Sequence, residues 1–382
     1  MLVNDLDFEL PGDLIAATAA EPRDAARLLV VSRSDPSRLE HRIVRDLPSL
    51  LSPGDLLVTN DSRVVPARFR GNNTDTGGKA GGLWLRDVGP GDPARAAIEP
   101  DVQGRIIWSA LVKARRHRVG RVLALQARDG SPSPVRLEFL APDPAEPGAW
   151  LLAAWDETAP DASTPEMLSC VGLAPLPPYI LHARRDAGLK QDRPNDLDRY
   201  QTIYAADDRT AGHSTGSVAA PTAGLHFTPE LFDRLDDMGI GRAAVRLHVG
   251  TGTFKTVEAD DLNEHPMHAE WCTVPNPTRA RMDAARRVIA VGTTAARTLE
   301  AFAALKDTPP AWLETDLLIQ PGHTWRALDG LMTNFHLPRS TLLALVAALF
   351  PEGVERVRAI YDEAIRERYR FFSFGDAMLI LP

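Results

Sequence analysis

Short apolar or alternating stretches, separated by turn residues, fill the segment from Gly82 to Trp155. They read GLWLRDV, IIWSALVKA, RVLALQA, VRLEFLA and WLLAAW. Alternation with a period of two places side chains on opposite faces of a strand, and closely spaced short strands are typical of a small barrel or sandwich. The pattern therefore predicts a small β-barrel or β-sandwich over about residues 67–155.

The second half of the chain has a different pattern, in which strand-like runs lead into helical ones. RVIAVG at 287–292 continues through Thr293 into the helical TAARTLEAFAAL, and AAVRLHVG is a further strand candidate. LDGLMT at 328–333 continues through a loop into STLLALVAALF, where Ser340 is placed to cap the helix. Strands that alternate with helices indicate an α/β domain.

Domain boundaries follow from where these patterns change. Thr228 before Pro229 marks one more helix start in the second half. The pattern thus separates the strand-rich segment at 67–155 from a second half in which strands and helices alternate, and the segments at the two chain ends are candidates for closing the same sheet. The Pro- and Asp-rich stretch at 156–199 is expected to be a surface connector.

Composition narrows the class of protein. With 44% hydrophobic and 25% charged residues the chain should be globular. Its longest apolar run, at 342–350, is well short of the ~20 residues that span a bilayer, and the acidic MLVNDLDFEL does not resemble a signal peptide. We expect a cytoplasmic protein without membrane association. Cys170 and Cys272 are too few for a disulfide framework or a thiolate-rich metal site.

The net charge of −8 argues against non-specific binding of nucleic acid. One local exception is the basic run KARRHRVGR at 113–121. Charge alone leaves two interpretations open, a solvated loop or edge strand and a patch that contacts phosphates. The candidate phosphate-binding residues are Lys113, Arg115, Arg116 and Arg118.

Polar residues collect where predicted strands end and predicted helices begin. In α/β sheets, ligands bind beyond the carboxyl ends of the strands, where helix N-termini offer N–H groups to anions. Gly250, Gly252 and Gly292 would allow close approach of a backbone to a ligand, although each is equally compatible with an ordinary turn. For any single histidine here, a structural hydrogen bond is the alternative. The polar positions are His226, His248, Asn334 and His336.

The segment HPMHAEW also has two interpretations. His265, His268 and Glu270 are residue types that bind divalent metals. On a strand, His268 and Glu270 would share a face and could act together as acid and base.

Nearer the N-terminus, five polar residues form either turns with a salt bridge or a set of donors and acceptors for a nucleotide-like ligand. Spacing does not distinguish these alternatives. The residues are Arg23, Asp24, Asn60, Asp61 and Arg63.

Several segments support a family assignment when they are taken together and in order. They are AAEPRDAARLLV, GDLLVTNDSRVVPAR, YQTIYA, GSVAAPTAGLHFT, LHVGTGTF, HPMHAE, VIAVGTTAARTLE, NFHLPRSTLL and YRFFSFGDAMLI. In these segments and in their order, the chain resembles the S-adenosylmethionine:tRNA ribosyltransferase-isomerases of queuosine biosynthesis. The resemblance runs from about residue 7 to the C-terminus and weakens inside 67–155.

The resemblance implies a large mixed α/β barrel-like domain with an inserted small antiparallel β-barrel. The large catalytic domain would then be discontinuous, over 1–66 and 156–382, and the inserted barrel would cover 67–155. It also implies a transferase that moves and isomerises the ribosyl moiety of S-adenosylmethionine onto 7-aminomethyl-7-deazaguanine at the wobble position of tRNA. Epoxyqueuosine-tRNA, adenine and methionine would be the products. S-adenosylmethionine would be a substrate, with no metal or redox cofactor, and the enzyme is expected to be a monomer whose partner is tRNA.

On this interpretation we assign the predicted acid–base set to His226, His248, His268 and Glu270. The predicted substrate-binding residues are Arg23, Asp24, Asn60, Asp61, Arg63, Thr222, Gly224, Gly250, Thr293, Asn334 and His336. The alternatives are a metal-dependent hydrolase that uses His265, His268 and Glu270, and an RNA-binding paralogue that has lost catalysis.

Overall fold

The computed structural model describes residues 1–35, 37–98, 105–206, 216–250, 257, 259–305 and 309–382. Within these ranges the chain forms a nine-stranded sheet with helices and a closed antiparallel barrel of six strands. The predicted fold class, a mixed α/β structure with a small β-barrel, is confirmed.

Fifteen strands build the two sheets in the described ranges. They are β1 (Arg27–Ser32), β2 (Leu39–Ile43), β3 (Asp55–Asn60), β4 (Arg68–Asn73), β5 (Lys79–Asp87), β6 (Ile106–Lys113), β7 (Val122–Gln126), β8 (Pro132–Pro142), β9 (Ala149–Asp156), β10 (Gly241–Leu247), β11 (Glu270–Thr273), β12 (Arg287–Val291), β13 (Leu313–Thr315), β14 (Gly330–Asn334) and β15 (Ala377–Leu381). The large sheet has the order β13-β11-β10-β3-β12-β14-β15-β1-β2, and the barrel closes in the order β4-β5-β6-β9-β8-β7.

The same ranges contain nine α-helices, none of which is long and apolar enough to cross a membrane. They are α1 (Leu47–Leu50), α2 (Thr164–Val171), α3 (Pro178–Asp186), α4 (Asp196–Arg199), α5 (Pro229–Asp237), α6 (Asn276–Ala284), α7 (Thr293–Ala303), α8 (Thr341–Ala347) and α9 (Val354–Arg366). The predicted passage from β12 into α7 is confirmed. So are the predicted caps, since Ser340 Oγ accepts from Leu343 N at 3.2 Å and Thr228 Oγ1 accepts from Leu231 N at 3.1 Å.

The large sheet is packed on both faces, which explains its apolar central strands. Every residue of β3 is buried. Leu56 joins the core on the side of α7 to α9, where it packs in one cluster with Leu299 and Ile360. Leu57 points to the other side, into the core with Leu231 of α5. Because both faces of the sheet are covered by apolar cores, polar side chains lie mainly at the ends of the strands.

The barrel has a core of its own, in which Trp108 lies 6.4 Å from Phe69 between ring centroids. The five strands predicted between Gly82 and Trp155 correspond to β5 to β9, and the polar β4 is a sixth strand that the apolar pattern did not indicate. Met167 of α2 packs on this core, so the first helix after the barrel belongs to its packing.

The expectation that 156–199 lies on the surface is wrong for its central part. Residues 171–177 are all buried. Leu173 pairs with Arg68 at the start of the barrel, and Leu176 packs with Ile180 and Tyr200 in a separate core cluster. Prolines indicate irregular backbone conformation, whereas the leucines between them decide burial.

Candidate active site

Four neighbouring strands of the large sheet, β10, β3, β12 and β14, run parallel and end at one side of the sheet, here called the carboxyl edge. Asn60 and Asn334 are the last residues of β3 and β14, His248 directly follows β10, and Thr293 comes two residues after β12. Strand β11 runs antiparallel to β10, which places its first residue, Glu270, at the same edge. Residues far apart in sequence therefore come to one edge of the sheet.

A cavity of about 90 Å³ opens at the carboxyl edge. Its volume is well below the ~300 Å³ at which pockets for drug-sized ligands begin, so it has room for only one part of a ligand of that size. Four predicted binding residues line it, namely Thr222, Thr293, Asn334 and His336. Several other polar or aromatic residues of the wall were not predicted from the sequence, namely Tyr179, Tyr200, Thr294, Thr333, Phe372 and Ser373.

The first turn of α7 forms one side of this cavity. Gly292 precedes the helix with a φ of 91°, a conformation that only glycine adopts without steric cost. No side chain caps the helix there. Its first N–H groups, next to Thr293 and Thr294, form the kind of site that binds a carboxylate or phosphate.

Asn334 connects three segments of the cavity wall. Thr222 Oγ1 donates to Asn334 Oδ1 at 3.0 Å, and Asn334 Nδ2 donates to the carbonyl of Phe372 at 3.1 Å. Asn334 is buried, and its amide is committed to these internal bonds. Its observed contacts are those of a residue that positions the cavity wall.

His336 is a buried, neutral imidazole in the cavity wall. Its Nε2 lies 2.9 Å from Thr333 Oγ1, and its main-chain N–H donates to the hydroxyl of Tyr361 at 2.9 Å. Burial lowers the pKa of His336 to about 4. At neutral pH the ring therefore places no positive charge beside a ligand.

This pKa predicts a stability effect of pH. Unfolded His336 binds a proton near the usual pKa of 6.5, whereas the folded ring does so at about 4. The unfolded state then holds more protons between these pH values, so acidification destabilises the fold. We expect wild-type protein to lose about 2 kcal/mol more unfolding free energy than His336→Gln between pH 7.5 and pH 5, in urea titrations. His182→Gln, at an exposed position on α3, should behave like wild type.

His226 is held by the main chain on both sides of its ring. Nδ1 lies 3.0 Å from the carbonyl of Ala223, and Nε2 lies 3.1 Å from the carbonyl of Gly375. Burial lowers the pKa of His226, and a neutral imidazole can donate to only one of two carbonyls. The ring links the 3₁₀ turn Thr222–His226 to the segment before β15. Its predicted role in proton transfer stays a prediction, and these contacts favour a positioning role.

Glu270 is buried and paired with Arg297, a residue that was not predicted from the sequence. Arg297 Nη1 bonds to Glu270 Oε2, and the main-chain N–H of Gly250 donates to Glu270 Oε1 at 3.1 Å. Arg297 Nε also donates to the carbonyl of Leu317 at 3.2 Å. A signal was present in the sequence, since Arg297 is the only basic residue in the mostly small and apolar segment TAARTLEAFAAL.

The other histidines near the carboxyl edge have distinct surroundings. The ring of His248 stacks on Trp312 at 5.4 Å between centroids. His268 is half-buried. Partial burial lowers the pKa of His265, and the nearby His268 adds to that effect.

The metal site that the sequence left open is not formed in the described part of the chain. Within those ranges, no three His, Cys, Asp or Glu side chains come together in a way that could hold a metal ion. The physical reason at the predicted trio is that the Glu270 carboxylate is directed to Arg297 and to Gly250. This geometry does not support the hydrolase alternative based on His265, His268 and Glu270.

Asn60 and Asp61 brace the end of β3 against β10. Asn60 Oδ1 accepts from Leu247 N at 3.2 Å, and its Nδ2 donates to the carbonyl of the same residue at 3.1 Å. Asp61 forms a bidentate pair with Arg246 at 2.8 and 2.9 Å. These two side chains therefore fix the geometry of the carboxyl edge.

The remaining N-terminal candidates contact the chain itself. Arg23 and Arg63 donate to main-chain carbonyls within 198–206. Asp24 forms an ion pair with Arg45 at 3.4 Å. Asp24 thus pairs with Arg45 and not with Arg23, and the role of these residues in binding a ligand stays a prediction.

Two predicted glycines serve different purposes. A Cβ on Gly224 would lie 1.9 Å from the hydroxyl oxygen of Tyr204, so close packing requires glycine there. A Cβ on Gly250 would meet nothing within 4 Å, and this residue contributes its N–H to Glu270. Gly252 lies outside the described residues.

The basic run lies on the barrel, between β6 and β7. Its anchor is His117, whose ring lies 5.5 Å from Phe139 and 5.4 Å from Trp150. The salt bridges found in the described ranges involve none of the four candidate cations, and all four are exposed. They are Lys113, Arg115, Arg116 and Arg118.

Comparison with known proteins gives a consistent result over the whole chain. The model of a family described as queuosine biosynthesis protein matches residues 3–380. A curated protein of Synechococcus elongatus, named S-adenosylmethionine:tRNA ribosyltransferase-isomerase, is 44% identical over 98% of this chain and 95% of its own length. A protein of the same name from Novosphingobium aromaticivorans is also 44% identical, over 100% of both chains.

A solved structure agrees with these sequence matches. The crystal structure of an S-adenosylmethionine tRNA ribosyltransferase from Thermotoga maritima is 34% identical, with a TM-score of 0.50 over 99% of this chain and 100% of that chain. Family model, curated relatives and solved structure all cover both the barrel and the large sheet. The chain belongs to the queuosine biosynthesis protein family.

Proposed function

We propose that this chain is an S-adenosylmethionine-dependent tRNA ribosyltransferase-isomerase. Its substrates are S-adenosylmethionine and tRNA that carries 7-aminomethyl-7-deazaguanine at the wobble position, and its products are epoxyqueuosine-tRNA, adenine and methionine. The large domain, 1–66 and 156–382, contains the catalytic residues, and the inserted domain, 67–155, contacts the tRNA. We expect the enzyme to act in the cytoplasm.

The observation that carries this proposal is the cavity at the carboxyl edge. Residues from the end of β14, from the segment after β10, from the 3₁₀ turn that begins at Thr222 and from the first turn of α7 meet there. The relatives' names supply S-adenosylmethionine and tRNA as the substrate classes. The cavity supplies a small, partly apolar pocket beside a helix N-terminus, a suitable place for the methionyl part of S-adenosylmethionine, which carries a carboxylate.

The chemistry explains why acid and base groups are needed. The positive sulfur of S-adenosylmethionine acidifies the 5′-methylene of the ribose, and a positioned base removes a proton from it. A proton donor assists the departure of adenine. The aminomethyl group of the modified base bonds to the ribosyl moiety, and closure of the epoxide expels methionine as a neutral thioether. These steps balance without a change of oxidation state.

Among the predicted acid–base residues, we assign the proton-abstracting role to Glu270, together with His268 two residues before it in the sequence. Glu270 lies at the carboxyl edge but is not among the residues that line the cavity. Glu270 is a buried carboxylate that Arg297 and the N–H of Gly250 hold in one orientation. We assign His226 to positioning, because main-chain carbonyls face both ring nitrogens. His248, which stacks on Trp312, remains the candidate proton donor.

The direct test is a product-release assay. With S-adenosylmethionine and tRNA containing 7-aminomethyl-7-deazaguanine, we expect adenine and methionine to appear in equal amounts, measured by liquid chromatography. The matched control is the same tRNA with guanine at the wobble position, which should release neither product. Binding of tRNA without any product release would instead favour the non-catalytic RNA-binding alternative.

A further inference from the structure

The lining of the cavity poses a problem for a cationic substrate. No described residue of its wall is an aspartate, glutamate, lysine or arginine. His336 adds no charge to the wall at neutral pH, because burial lowers its pKa to about 4. A positive charge that enters this space finds no carboxylate as a partner, and a bare buried charge is costly.

The wall offers aromatic faces and neutral oxygens in place of a carboxylate. The rings of Tyr179 and Phe372 lie 4.8 Å apart between centroids. Tyr200 lines the same space and is almost completely buried, with its ring edge-on to Phe374 at 5.9 Å. Aromatic faces attract cations through their quadrupole, most strongly where water is excluded.

The position of Tyr179 is fixed before any ligand binds. Its hydroxyl lies 2.6 Å from Ser373 Oγ, and both residues line the cavity. Burial raises the pKa of Tyr179 to about 12, so the phenol stays neutral. Because the ring is held from its hydroxyl end and packs against Phe372, little conformational entropy is lost when it contacts a ligand.

We propose that Tyr179, together with Phe372 and Tyr200, forms an aromatic wall that binds the sulfonium cation of S-adenosylmethionine. The wall selects the charged substrate over its neutral thioether counterpart, S-adenosylhomocysteine, through its aromatic rings, since none of the described residues that line the cavity is acidic. This inference rests on the proposed function, because it assigns a subsite to the substrate named there. The small volume of the cavity, about 90 Å³, matches a sulfonium centre with its carbon neighbours better than a complete nucleoside.

The test compares the binding of the two ligands by isothermal titration calorimetry, without tRNA. Wild-type protein should prefer S-adenosylmethionine to S-adenosylhomocysteine. Tyr179→Leu removes the aromatic face and should reduce this preference about tenfold, mainly by lowering the affinity for S-adenosylmethionine. Tyr179→Phe keeps a face and should retain the preference within about twofold. Trp155→Leu, which removes the contact between Arg105 and a barrel tryptophan, is the matched control and should leave the preference unchanged.

An unchanged preference in Tyr179→Leu would overturn the aromatic wall, as would an equal loss of affinity for both ligands. If that variant does not fold, Phe372→Leu provides the same comparison from the facing ring. Failure of the proposed function gives a different result, because wild-type protein would then neither bind S-adenosylmethionine nor release adenine from it.

Discussion

Replacing Glu270 by glutamine should lower kcat by about two to four orders of magnitude, the usual contribution of general acid–base catalysis. The change is nearly isosteric and leaves an oxygen that can accept from the N–H of Gly250. It removes the negative charge that faces Arg297, and an unpaired buried guanidinium costs about 3 kcal/mol or more. Activity and thermal stability must therefore both be measured, with kcat taken well below each variant's melting temperature.

A double variant separates catalysis from stability. Glu270→Gln combined with Arg297→Met removes both charges of the pair, and such replacements often restore stability. If Glu270 removes the substrate proton, the double variant regains its melting temperature but not its kcat. Recovery of both would show that Glu270 only stabilises the fold. Glu314→Gln, at the exposed position opposite Trp271 on the neighbouring strand, controls for the loss of one carboxylate.

The positions of several site residues could be expected from sequence because they depend on strand direction. Asn334 and Thr293 follow apolar runs that lead into helices, and parallel strands must end at a common edge. The roles of these residues could not be expected, since a role depends on partners distant in sequence. The amide of Asn334 is committed to Thr222 and to the carbonyl of Phe372, segments 112 and 38 residues away.

Tyr179 shows most clearly what sequence patterns do not reveal. PLPPYI has the composition of a surface connector, and local prolines gave no indication of burial. In the folded chain, leucines on either side of these prolines pack into a core cluster and carry Tyr179 to the cavity. Arg297 was missed for a related reason, because its only sequence signal is a basic residue in a mostly apolar helix, which also carries Glu300. Such a charge requires a buried partner, but nothing local identifies Glu270 as that partner.

Neutralising the four exposed cations of the barrel loop should weaken tRNA binding by about 100-fold or more at 0.1 M salt, if each contacts a phosphate. The variant carries glutamine at Lys113, Arg115, Arg116 and Arg118. The slope of log affinity against log salt concentration should fall by about 0.7 to 0.9 for each phosphate that is no longer neutralised. Affinity for S-adenosylmethionine should not change, because the loop lies on the barrel and the cavity lies at the carboxyl edge of the large sheet.

The loop is suited to this role because it is anchored at one point and exposed elsewhere. The ring of His117 contacts both Phe139 and Trp150, which ties this position of the loop to the barrel. A second variant with the same total charge tests whether position or net charge matters. It carries glutamine at four exposed sites of the large domain, namely Arg38, Arg42, Arg366 and Arg368. Equal losses of tRNA affinity in the two variants would mean that the protein's overall field attracts the RNA, and that the barrel loop forms no specific phosphate contacts.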